Sequence, residues 1–229
     1  MTKKVAVILS GCGVYDGAEI HESVLTLLRL DQRGASVKCF APNIPQHHVI
    51  NHLTGEEMPE SRNVLIESAR IARGAIEDIR EADVTEFDAL IIPGGFGAAK
   101  NLSNFSTQGA GCKVQAEVLA MAEAFAAAGK PIGLICVSPA LAAKIYGPGV
   151  TCTIGNDADT ADTAAAITRM GGTHQDCEVT EIVEDKDRKL VSTPAYMVAT
   201  SIGEAASGIN KLVDRVLELV QENEDRLPD

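Results

Sequence analysis

The chain has 229 residues, with 32 acidic and 20 basic side chains and a formal charge of −12. An apolar content of 45% supports a packed core and excludes a disordered chain. The acidic balance, the lack of tryptophan and an aromatic content of 3% argue against a phosphate-binding face or a base-stacking platform, so no nucleic-acid partner is expected.

From the amino end, Val5–Ser10 is a continuous apolar run, the pattern of a strand covered on both faces. It is too short for the apolar segment of a signal peptide. Glu19–Arg33 has helical spacing, with Val24, Leu27 and Leu28 on one side and Gly34 as a C-terminal stop. Ser36–Ala41 is a second strand, closed by Pro42. Residues 42–86 are the least regular part, with a helix around Ser61–Arg73, and read as an elaboration on one domain. Phe87–Pro93 is a strand that runs into Gly94 and Gly95; Lys113–Ala128 is an alanine-rich helix, and Pro131–Cys136 the next strand. Val150–Ile154 is extended, Asp157–Met170 is helical, and Glu181–Asp185 with Lys189–Thr193 makes a hairpin. A last helix runs from about Met197 to Glu222, before a frayed tail over 223–229. Strands that alternate with helices imply an α/β fold with a mostly parallel sheet and helices on both faces, in a single domain over 1–222.

No stretch approaches the roughly 20 apolar residues of a membrane span, so no membrane partner is expected. The six cysteines, at 12, 39, 112, 136, 152 and 177, are scattered and contain no C-x-x-C. Such usage fits a reducing compartment, and the cytoplasm is expected.

Three segments at strand ends carry candidate chemistry. Cys136 closes an apolar strand just before Ser138-Pro139, a helix-start signal. A thiol on such a turn meets the positive end of the helix dipole, which favours the nucleophilic thiolate, and the Val137 amide would face an oxyanion. A buried structural cysteine is the other reading. Gly94 and Gly95, in Pro93-Gly94-Gly95-Phe96-Gly97, offer amides to complete an oxyanion or substrate-binding site, or simply form a tight turn. Glu22, after the first strand, would reach the thiol as a proton carrier, or is only an acid at a helix start. His47, His48 and His52 lack the pattern of a catalytic metal site, and Asp157, Asp159 and Asp162 lack that of a calcium loop, so no metal or cofactor is expected.

Taken together, GAEIHESV after the first strand, PGGFGAAKNL after a middle strand and GLICVSPALAAKI around the cysteine resemble the class I glutamine amidotransferase-like superfamily. Within it they resemble the parkinsonism-associated deglycase and intracellular protease group. ILSGCGVYDGAEIHESVLTLL, VINHLTGE, RNVLIESARI, PGGFGAAKNLSNF, STPAYM and EAASGINKLVDRVL resemble its ElbB branch, described as a glyoxalase or as an isoprenoid-biosynthesis protein with an amidotransferase-like domain.

The resemblance implies a flavodoxin-like sandwich, a nucleophile elbow at Cys136, the partner carboxylate at Glu22, oxyanion amides at Gly95 and Val137, and a homodimer. The family's histidine position, in a Val-Thr-x-His context, holds Thr153 here, and His174 is the only later histidine. Glutaminase and protease activities are therefore not expected. What remains is a cofactor-independent glyoxalase, a lyase that takes glyoxal or similar small dicarbonyls to the hydroxy acid. The alternatives are a binding module that has lost catalysis and is tied to isoprenoid metabolism, and a cysteine redox sensor.

Overall fold

The computed structural model describes residues 2–156 and 158–225. Among them, seven strands form the central sheet: β1 Lys4–Ile8, β2 Ser36–Ala41, β3 Ile76–Asp78, β4 Ala89–Ile92, β5 Ile132–Ile135, β6 Val183–Asp185 and β7 Leu190–Thr193. Their order is β6-β7-β5-β4-β1-β2-β3. All pairs are parallel except β6 with β7, which form the expected hairpin.

Alternate residues of the buried strands feed two cores. Val5 and Val7 of β1, with Ala89 and Ile91 of β4, face α1 (Ile20–Gln32), α2 (Val64–Ile71) and the long carboxyl-terminal helix Ile202–Glu224. Ala6 and Ile8, with Leu90 and Ile92, face the alanine-rich helix Ala116–Ala127, the short helix Ala142–Tyr146 and the helix Ala161–Arg169. Burial on both faces explains why these strands are unbroken apolar runs. The result is the flavodoxin-like three-layer α/β sandwich.

Several details differ from the sequence reading. Val24 and Leu28 of α1 are about half exposed (47% and 48%), while Glu22, Ser23, Thr26 and Leu30 are buried. The polar side chains go inward because each has a partner: Ser23 Oγ donates to the Glu19 carbonyl and Thr26 Oγ1 to that of Glu22. The elaboration over 42–86 contributes β3, an edge strand too short to show a pattern. Thr151–Cys152 pairs with Thr173–His174 in a small separate sheet. The last helix starts at Ile202, with Ser201 as its cap and Glu204 Oε2 accepting from the Thr200 amide. Asp157 and the tail over 226–229 lie outside the described residues.

At β1 the chain order reverses: β2 and β3 build outward on one side, β4, β5 and β7 on the other. In open parallel sheets the crevice at the carboxyl ends of such strands is where ligands sit. The segments after β1, β4 and β5 all open there.

Candidate active site

Cys136 follows β5 with φ of 63°, a left-handed conformation that a non-glycine residue adopts only when its surroundings hold it. They do. The Cys136 amide donates to the Thr193 carbonyl of β7 at 3.0 Å, and Ser138 Oγ donates to the Pro93 carbonyl at 2.9 Å, which ties the turn to the loop after β4. This is the strained strand-to-helix elbow expected there. The helix beyond it is weaker than expected: a single 3-10 turn over Ser138–Leu141 leads into Ala142–Tyr146.

Glu22 lies in the first turn of α1 and is fully buried. Glu19 caps that helix, its carboxylate accepting from the Glu22 amide at 2.7 Å. The Glu22 carboxyl has three partners. Oε2 accepts from the Gly94 amide at 2.9 Å and Oε1 from the Tyr196 amide at 3.2 Å. The third is a hydrogen bond with the Cys136 thiol. Burial, then the nearby charge of Glu19, pushes Glu22 up to about 8 despite these bonds.

The amides of Gly95 and Val137 both hydrogen-bond the Cys136 sulfur. All five residues singled out from the sequence thus meet at one point, but two expectations need correction. Gly94 does not offer its amide to an oxyanion, because that amide holds Glu22. Nor does the helix end leave the sulfur ionised: burial first, then the charge of Glu22, pushes the Cys136 thiol well above its ordinary value. The resting site is a neutral thiol beside a carboxyl group pushed up to about 8.

Thr153, at the expected histidine position, is fully buried and bound into its own turn. Its amide donates to Ser192 Oγ and its hydroxyl accepts from the Gly155 amide, both at 3.0 Å. His174 lies in the small sheet, its Nε2 3.3 Å from the Ile154 amide. Neither lines the crevice. Reasoning from sequence missed Tyr196, which sits in the 3-10 turn Ala195–Met197 and whose hydroxyl is 2.8 Å from Nδ1 of His21.

Cys136 opens into a cavity of about 400 Å³. Val14, Phe96, Phe105, Val137 and Met197 give it apolar walls, and Glu19 and Tyr196 are among its polar groups. A cavity of about 540 Å³ beside Lys3 and Arg33 contains none of these residues. Among the described residues, no cluster of His, Cys, Asp or Glu is arranged to hold a metal ion. The arrangement suits covalent capture of a small carbonyl compound by sulfur, with a carboxyl group beside it to move protons.

No family model matches the chain. A human protein named glutamine amidotransferase-like class 1 domain-containing protein 3, mitochondrial, is 49% identical over 94% of this chain and 83% of its own length. A solved structure from Ehrlichia chaffeensis, described as an isoprenoid biosynthesis protein with an amidotransferase-like domain, is 40% identical. It covers 96% of this chain and 100% of its own, with a TM-score of 0.89. The Candida albicans structure described as glyoxalase III shares the fold, with a TM-score of 0.61, 13% identity and coverage of 95% and 97%.

Proposed function

The chain belongs to the class I glutamine amidotransferase-like family, and from that premise we propose that it is a cofactor-independent glyoxalase acting on small dicarbonyls. The observation that carries this reading is the buried Glu22 carboxyl hydrogen-bonded to the Cys136 thiol, which lines a cavity of about 400 Å³. Support from kinship is coarser: a structure with the same fold is described as a glyoxalase.

The chemistry follows from the geometry. Glu22 in its ionised form accepts the thiol proton as sulfur attacks one aldehyde carbon. The Gly95 and Val137 amides, aimed at the sulfur in the resting site, lie where the new oxyanion develops. Glu22 passes the proton it took from the thiol to that oxygen and is again ionised. Glu22 next removes the hydrogen from the sulfur-bearing carbon and returns it to the neighbouring carbon, through an enediol. A glycolyl thioester results, and water cleaves it to glycolate and the free thiol. In sum, one glyoxal and one water give one glycolic acid.

This chain's substrate is thus a small dicarbonyl and not glutamine or a peptide bond, for which the Thr153 position supplies no histidine. The test is glyoxal consumption and glycolate formation by the wild type and by Cys136→Ser. The wild type is expected to make glycolate in step with glyoxal loss, and the variant to make none. Equal rates would remove the nucleophile assignment.

The high-lying thiol and the lack of a histidine favour one second reading, a weakly catalytic binding module connected with isoprenoid metabolism, the process named for the Ehrlichia relative. A redox sensor fits less well, because sensing thiols are exposed and readily ionised. The cytoplasm is the proposed location, from the scattered cysteines with no C-x-x-C. The human relative's name says mitochondrial. No helix among the described residues is long and apolar enough to cross a membrane.

A further inference from the structure

Residues separated by 175 positions, His21 at the start of α1 and Tyr196 after β7, meet beside the cavity that Tyr196 lines. The Tyr196 hydroxyl is 2.8 Å from His21 Nδ1, and the two ring centroids are 5.7 Å apart. Tyr196 lines the same cavity as Cys136, and its main-chain amide holds Glu22. His21, the residue before Glu22, is exposed to water. Ala195, directly before Tyr196, has φ of 43°, a strained conformation for a residue with a side chain. Burial, then the charges of Glu19 and Glu22, pushes the Tyr196 phenol above its ordinary value.

On the glyoxalase reading, one carboxyl group must serve a carbon-bound proton while two substrate oxygens also change their protonation. We propose that Tyr196 is the acid–base group for those oxygens, and that His21 positions it and connects it to solvent. This takes up the proton work that Thr153 cannot do.

In the tautomer that carries its hydrogen on Nδ1, His21 donates to the Tyr196 oxygen and leaves the phenol O–H free to turn into the cavity. As Glu22 removes the carbon-bound proton, the electron pair moves toward the second carbonyl, whose oxygen takes the proton of Tyr196. Glu22 then delivers its proton to that second carbon. The hydroxyl on the sulfur-bearing carbon gives its proton to the Tyr196 phenolate as the thioester carbonyl forms. Both residues end as they began, and only substrate atoms have been rearranged.

The test rests on Tyr196→Phe, which keeps the ring and the main-chain amide that holds Glu22. Its expected effect is a fall in kcat of about 10²-fold, in the range of general acid–base catalysis, with KM unchanged. The Cys136 adduct with glyoxal should still form, since the nucleophile is intact. His21→Asn should lower kcat by less, and the double variant should be no slower than Tyr196→Phe alone. A wild-type kcat in Tyr196→Phe, or effects that multiply in the double variant, would overturn the relay while leaving the glyoxalase reading in place. A wild-type protein that forms neither adduct nor glycolate would remove both.

Discussion

The Glu22 carboxyl is at once the most buried acid of the site and its proposed base. Its position near 8 has two causes, loss of water and the neighbouring charge of Glu19. The sign for catalysis follows directly. The base is active only when ionised, and at pH 6 it is held protonated by burial, so kcat/KM should rise with pH and level off above about 8. Glu19→Gln separates the two causes. The amide side chain still offers an oxygen to cap α1, but the charge is gone, so the midpoint of the pH–rate profile should move down. An unmoved midpoint in Glu19→Gln would mean that burial alone sets the acidity of Glu22.

At the scale of elements, the site depends on how closely the loop after β4 approaches the elbow. A Cβ on Gly94 would collide with Cβ of Cys136 and with Oε2 of Glu22. A Cβ on Gly95 would meet the Glu19 amide and the Gly17 carbonyl, at a φ of 92° that already favours glycine. Gly94→Ala is therefore expected to cost about 1–3 kcal/mol in denaturant unfolding, the usual range for overpacking, and to abolish glyoxal turnover. Wild-type stability in that variant would show that the loop stands further from the elbow than described.

The same elements show what was readable in advance. The core strands were legible because burial on both faces leaves an uninterrupted apolar signature, as in VAVILS and PIGLIC. Cys136 and Gly94-Gly95 were legible because they follow such strands directly. The facing side of α1 was not: Ser23 and Thr26 are buried through hydroxyl bonds to their own helix, which apolar periodicity cannot reveal. The start of the last helix had a signal in Ser201 and Glu204, the S-x-x-E of a capping box, but apolar spacing alone put it near Met197. Tyr196 had no local signal, since it reaches His21 and Glu22 only through a fold that brings the turn after β7 against α1.

For the molecule as a whole, the reversal of strand order at β1 makes one crevice out of segments near residues 19–22, 94–95, 136–137 and 196. From the family resemblance we propose a twofold-symmetric homodimer, the commonest closed assembly. Sedimentation equilibrium should give twice the mass of one chain, and a single-chain mass at micromolar concentration would contradict it.

During turnover the Cys136 sulfur is expected to bond to substrate. Acid quenching of the protein during glyoxal turnover, followed by mass analysis of the peptide that contains Cys136, tests this most directly. The expected result is a mass gain of one glyoxal on that peptide in the wild type and none at that position in Cys136→Ser. Continued glycolate formation with the Cys136 peptide unmodified throughout would contradict it.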